Sequence, residues 1–185
     1  QKCIRDRDTV YMADTENLPG ITDLPDYTKE YPDRTWEEKI REVIPSGPYF
    51  SDNGQEAVVN VRSQDNKDRW ITLLNLETGA LKSLDRQRDE AWIAGPGIGW
   101  SYSGGTLGWL PDNRHIYFQS EESGYSHLYV LDVNSGSKKA LTSGDYEVFD
   151  PFLSKDKKHW FLTTSEVHPG ERHFYKMPVM GGKME

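Results

Sequence analysis

Cysteine is almost absent from this 185-residue chain, and so are long apolar runs and basic clusters. The single Cys3 has no partner within the chain for a disulfide and cannot build a Cys-based metal set, which excludes a small disulfide-stapled scaffold. No run approaches the ~18 consecutive apolar residues of a membrane-spanning helix. The opening Gln1-Lys-Cys-Ile-Arg-Asp-Arg-Asp also lacks the apolar stretch of a signal peptide, so no membrane span is expected. Positive charge is in deficit: 22 Lys and Arg stand against 30 Asp and Glu, a formal net charge of −8. The densest basic segments, Lys155-Asp-Lys-Lys158 and Lys138-Lys139, lie beside turn residues and read as solvated loop charge. An acidic chain without a basic patch repels phosphate backbones, so nucleic acid is not an expected partner.

Apolar residues are also few, at 35%, which predicts a lean core. Aromatic residues reach 12%, with 6 Trp, 10 Tyr and 6 Phe, and a disordered chain is poor in these. The chain is expected to fold, and its length suits one domain.

Residues 1–34 are polar and broken by Leu18-Pro-Gly, Leu24-Pro-Asp and Tyr31-Pro-Asp, and read as an extended arm with one short strand at 9–12. Thr35-Trp-Glu-Glu38 has capping-box spacing, and Ile40, Val43 and Ile44 recur at helical intervals before Pro45, which predicts one short helix at about 36–44. After it come β-branched and aromatic runs of five to eight residues, separated by Asn, Asp, Gly and Ser.

These runs repeat. Trp70-Ile-Thr-Leu-Leu-Asn-Leu-Glu-Thr-Gly79, His127-Leu-Tyr-Val-Leu-Asp-Val-Asn-Ser-Gly136 and His173-Phe-Tyr-Lys-Met-Pro-Val-Met-Gly-Gly182 align strand on strand and glycine on glycine. Each is preceded by a turn and a strand: Ser51-Asp-Asn-Gly before 57–62, Pro111-Asp-Asn-Arg before 115–120, Ser154-Lys-Asp-Lys before 159–164. A four-stranded unit repeated three times is the signature of β-propeller blades. The expected fold is therefore all-β: a partial β-propeller of three four-stranded blades at about 46–84, 105–142 and 145–185, behind an arm and short helix at 1–45. The longer first interval is assigned to an insertion at 85–105. Known propellers carry 4–8 blades, so three cannot close a ring, and a fragment of a larger propeller is implied. A self-contained sandwich of the same strands is the competing architecture.

Few residues suggest chemistry. Gly99-Trp-Ser-Tyr-Ser-Gly-Gly105 approaches a nucleophile elbow around Ser101, but Ser103 stands where Gly is required and a strand follows where a helix is needed. The histidines at 115, 127, 159, 168 and 173 show no i, i+4 pair, and no metal or cofactor is expected. Glu121-Glu122 is a candidate for binding a cationic group, with Glu147 and Glu166 as further acidic candidates, although a turn before Ser123-Gly124 favours solvated charge.

The order Ile116-Tyr-Phe-Gln-Ser-Glu-Glu-Ser-Gly-Tyr-Ser-His-Leu-Tyr129, Leu141-Thr-Ser-Gly-Asp-Tyr-Glu-Val148, Ser165-Glu166 and Pro169-Gly-Glu-Arg-His-Phe-Tyr-Lys176 resembles the N-terminal propeller of dipeptidyl peptidase IV-like serine peptidases of the prolyl oligopeptidase family. The likeness is specific over about 105–182, whereas 46–84 matches only as a generic blade. It implies a parent enzyme that removes short units from peptide N-termini, often after proline, with its triad in a C-terminal α/β-hydrolase domain of the same polypeptide. The propeller would gate the active site and help hold the peptide substrate. The resemblance implies a periplasmic or extracellular location, and two copies could pair as a homodimer. This chain alone would carry no catalytic residue. The family's amine-binding glutamate motif is not identifiable here, and Glu121-Glu122 aligns with a structural stretch instead. The loop before the second blade would place Trp100, Tyr102 and Ser103 toward substrate, where this chain departs from the family pattern. Four glycines at 97, 99, 104 and 105 predict an irregular loop with no apolar anchor. The other function class is a propeller scaffold of a periplasmic or surface interaction protein with no peptidase attached.

Overall fold

The computed structural model describes residues 2–4, 10–99 and 104–185. These form thirteen strands: β1 (Lys2–Ile4), β2 (Val10–Met12), β3 (Val43–Phe50), β4 (Ala57–Ser63), β5 (Asp68–Leu74), β6 (Leu81–Arg88), β7 (Leu107–Trp109), β8 (His115–Ser120), β9 (His127–Asp132), β10 (Lys138–Ala140), β11 (Val148–Leu153), β12 (His159–Thr164) and β13 (His173–Pro178). Apart from the β1-β2 ribbon there are three antiparallel sheets, β3-β4-β5-β6, β7-β8-β9-β10 and β11-β12-β13. Each is a meander of consecutive strands, the form of a propeller blade, and no strand crosses from one sheet to another as a Greek-key sandwich requires.

The repeat is visible atom by atom in the turns. Between first and second strands, Gly54, Asn113 and Lys157 all take left-handed backbone, at φ of 69°, 54° and 59°. Each donates its N–H three residues back, to Ser51, Leu110 and Ser154. Between third and fourth strands, Gly79 (φ 77°) and Gly136 (φ 74°) donate to the carbonyls of Asn75 and Asp132. The side chains of Asn75 and Asp132 accept the N–H groups inside the same turns. The aligned glycines thus occupy positions where a side chain would be strained.

The chain divides into two compact units, 1–48 with 57–93, and 49–56 with 94–185. In the first, β4 and β5 bury both faces. One face carries Val59, Val61, Trp70 and Leu74, and the arm lies on it: Leu18 and Ile21 join that apolar cluster, and the Trp70 indole donates to the Pro19 carbonyl at 2.9 Å. At the sheet's end Asp68, fully buried, accepts from Arg41 (2.7 Å), Arg86 (2.8 Å) and Arg88 (2.5 Å). A buried carboxylate is tolerable only when paired in this way.

This network explains two departures from expectation. No helix forms at 36–44; the one short helical segment among the described residues is a 3-10 turn at Asp26–Glu30. Arg41 is held extended, because its backbone N–H and Nε reach the Ile21 carbonyl while its other nitrogens reach Gly20, Asp65 and Asp68. A nine-residue helix has too little propensity to outweigh those bonds. Likewise 85–88 are strand and not insertion: Arg88 sits opposite Asp68 in the β5-β6 register, and the ion pairs hold the charged tail of β6 in the sheet.

In the second unit, β7–β10 and β11–β13 pack face to face. Leu110, Leu128, Val130, Leu141, Tyr146, Val148, Trp160, Leu162 and Met177 form one buried cluster. Tyr117 meets Trp160 edge-on with ring centroids 4.7 Å apart.

Candidate functional site

Trp100, Tyr102 and Ser103, the expected substrate-facing residues, lie outside the described residues, as does Ser101. Both feet of their loop are described. The Thr106 N–H donates to the Gly97 carbonyl at 2.7 Å and the Ile98 N–H to Gly95 at 3.1 Å, closing a narrow neck. Gly97 and Gly105 have φ near +69° and +68°, and a Cβ at Gly97 would overlap the side-chain carbonyl of Gln119. The neck is therefore a place where only glycine fits.

Gln119 is the hub beneath it. Its amide oxygen accepts from the Thr106 hydroxyl at 2.7 Å, and its amide nitrogen donates to the Ser126 hydroxyl at 3.2 Å and to the Val148 carbonyl at 2.8 Å. Ser126 in turn donates to the Pro96 carbonyl at 2.6 Å. Gln119, Ser126 and Ile98 are fully or almost fully buried, so this relay ties the loop's feet to β8 in a dry setting where each bond is costly to lose. The expectation of a loop without an apolar anchor is corrected by Ile98, which packs out of solvent. The described feet are irregular, with one turn at 96–98.

Neither carboxylate of Glu121-Glu122 is free for a ligand amine. Glu121 accepts from the Ala94 N–H at 3.3 Å and lies against Gly95, and Glu122 pairs with Lys138. Glu147 is drawn inward by the Ser126 N–H at 2.7 Å.

The histidines serve structure too. His127 is fully buried: Nε2 donates to the Gly144 carbonyl at 2.9 Å, Nδ1 meets the Thr142 hydroxyl at 2.9 Å, and the ring stands edge-on to Tyr146. His173, its repeat counterpart, is a surface residue beside Glu171 at 2.7 Å. His115 pairs with Asp112 at 2.6 Å, and the His168 ring accepts from the Gly170 N–H. Among the described residues no group of three His, Cys, Asp or Glu could hold a metal.

Charge and polarity elsewhere stabilise turns. Arg114 donates to Asp132 from two nitrogens, at 2.9 and 2.5 Å, and with the turn amides of Asn134 and Ser135 it holds the Asp132 carboxyl far below the usual range. Arg86 does the same more mildly for Asp23 of the arm. A hollow of about 390 Å³ in the first unit is lined by Tyr27, Arg34, Trp36, Lys39, Arg41 and Asp65. Arg34 lies 4.4 Å over the Trp36 ring, a cation–π wall of that hollow.

The sequence profile described as the dipeptidyl peptidase IV N-terminal region matches residues 32–185. The chain belongs to that family. The dipeptidyl peptidase IV N-terminal region chain is 26% identical over 204 aligned residues to the "Probable dipeptidyl peptidase 4" of Aspergillus flavus, covering 84% of this chain and 26% of that protein. It is 32% identical over 111 residues to the dipeptidyl peptidase 4 of Arthroderma otae, covering 57% of this chain and 13% of that protein. It thus spans about a quarter or less of these relatives. Among solved structures, a Bacteroides ovatus protein assigned provisionally as a dipeptidyl aminopeptidase IV superposes with a TM-score of 0.62 at 17% identity, over 79% of this chain and 22% of the other. TolB of Acinetobacter baumannii superposes with 0.50 at 17%, over 80% and 33%. The structural likenesses establish the shared propeller fold. Among the described residues no helix is long and apolar enough to cross a membrane.

Proposed function

We propose that this chain is the non-catalytic propeller portion of a dipeptidyl peptidase IV-like serine exopeptidase that removes short units from peptide N-termini, often after proline. The observation that carries the reading is the family match over 32–185, extending across all three sheets. The triad belongs to an α/β-hydrolase domain elsewhere in the parent polypeptide, consistent with relatives about four times as long as the matched region. In this reading the propeller gates the catalytic domain, and the loop held by Gly97, Thr106 and Gln119 presents Trp100, Tyr102 and Ser103 to the peptide. The enzyme works in the periplasm or outside the cell.

The test is release of N-terminal dipeptides by the parent polypeptide from a peptide with proline second, followed by mass spectrometry. Dipeptide release, with KM raised by Trp100→Ala or Tyr102→Ala at unchanged melting temperature, is the expected result. An intact peptide after prolonged incubation with folded parent would favour the scaffold reading.

A further inference from the structure

The hollow of the first unit is built by two short stretches of the arm. The 3-10 turn Asp26–Glu30 contributes Tyr27, and the irregular run that ends at Arg41 contributes Arg34, Trp36 and Lys39. The Arg34 N–H donates to the Tyr31 carbonyl at 3.1 Å and the Arg41 N–H to the Ile21 carbonyl at 3.2 Å, so both ends of that run are fixed. Tyr27 meets Trp36 edge-on with ring centroids 5.7 Å apart, and the two rings form an aromatic corner. At about 390 Å³ the hollow has the size of a small-molecule site.

Its charges say what kind of ligand it takes. Three of the charged groups that line it already have partners: Asp23 pairs with Arg86 at 2.6 Å, and Arg41 with Asp65 at 3.2 Å. The other three, Arg34, Glu37 and Lys39, form no ion pair among the described residues, which leaves two cations against one carboxylate in a chain of net charge −8. Arg34 is held 4.4 Å over the Trp36 ring. A guanidinium held over a ring keeps its in-plane N–H groups for a ligand, and their fork matches the two oxygens of a carboxylate. The indole N–H of the same Trp36 is buried and has no acceptor. Buried donors nearly always find one, so this N–H also points to an oxygen ligand.

We propose that this hollow binds a carboxylate carried on an apolar or aromatic group, the carboxylate on Arg34 and Lys39 and the apolar body against Tyr27 and Trp36. The C-terminal end of a peptide and a free aromatic acid both have that chemistry. The site lies wholly within residues 22–65 of the first unit, and nothing in the proposal depends on peptidase activity.

The test titrates the folded parent polypeptide by calorimetry with N-acetylphenylalanine, N-acetylphenylalaninamide, phenylacetate and acetate. N-acetylphenylalanine should bind at least ~10-fold more tightly than its amide, and Arg34→Gln should weaken it by at least ~10-fold at unchanged melting temperature, because a charge-assisted two-oxygen contact is lost in each case. Phenylacetate binding as tightly as N-acetylphenylalanine, or more so, supports the proposal with free aromatic acids as the source; weaker binding of phenylacetate supports it with peptide C-termini. Equal affinity for acid and amide, or for acetate and N-acetylphenylalanine, would overturn it. Affinity that survives Arg34→Gln would assign the binding to another part of the parent and overturn it too, as would an absence of heat at ~10 mM ligand. Should Arg34→Gln lower the melting temperature, Arg34→Lys decides: it keeps a cation over the ring and removes the fork, so a folded Arg34→Lys with native affinity contradicts the proposal. No readout involves hydrolysis, so an inactive parent that binds in this way would refute the proposed function alone.

Discussion

The first and third sheets are copies of one repeat, yet one face of the first is covered by the arm while one face of the third stands in solvent. The first sheet carries its own cover: Leu18 and Ile21 of the arm lie on Val59, Val61 and Trp70, and Asp68 with its three arginines fastens the edge. The third leaves Phe152 and Phe174 in solvent. Stacked repeats bury their apolar faces only against neighbours, so a terminal repeat needs a cap. The first sheet is capped by local sequence, whereas no such cover lies on the aromatic face of the third among the described residues.

The strongest way to break the contrast is to unfasten the capped end. Asp68→Ala strips the common partner from three arginines and should cost about 3–5 kcal/mol, the usual penalty for leaving buried charge unpaired. A lowered melting temperature and rapid proteolysis between 14 and 40 are expected; a stable, protease-resistant variant would mean the arm is held by apolar contact alone. Ile21→Ala should follow, at about 2–4 kcal/mol, by removing a buried aliphatic side chain from the arm. Urea titration measures it, and a loss below about 0.5 kcal/mol would say the arm only rests on the sheet.

The bare end should respond differently. Phe174→Ser in the 185-residue chain should change stability by less than about 0.5 kcal/mol, because its ring is 61% exposed, and should reduce concentration-dependent self-association seen by sedimentation. A large destabilisation would show that the aromatic row stabilises the sheet by itself.

The smallest effect is that of pH. Hydrogen bonds from Arg86 lower the pKa of Asp23, and those from Arg114 lower that of Asp132, so both contribute stability that is complete above the ordinary carboxylate value near ~4 and is lost as pH falls through the depressed values. Melting temperature should therefore decline below about pH 4, and Asp132→Asn should flatten that decline. An unchanged slope would remove Asp132 from the acid response.

The repeat was legible because its signals are local: a left-handed turn residue, a β-branched strand, an Asn or Asp accepting turn amides. The absent helix at 36–44 was not, since Ile40, Val43 and Ile44 do recur at helical spacing while the competing bonds of Arg41 go to Gly20, Ile21 and Asp68, which lie far off in sequence. The same holds for β6, whose Arg86 and Arg88 read as loop charge until Asp68 appears opposite them. At the candidate site, the expected ring residues fall on 100–103, outside the described part, and the sequence reading passed over Gln119. A signal for it existed: Asn60, Gln119 and Thr163 place a polar residue at one shared register position of the second strands, opposite Ile71, Leu128 and Phe174, and such recurrence marks a shared structural duty.

The central expectation is that the catalytic step lies outside these sheets. The purified chain, incubated with a dipeptidyl chromogenic substrate beside its parent polypeptide, should release no chromophore above the buffer rate; among the described residues His127 is buried on Gly144 and Thr142, while His115 and His173 pair with Asp112 and Glu171. Turnover by the chain alone that disappears in Ser101→Ala would contradict it.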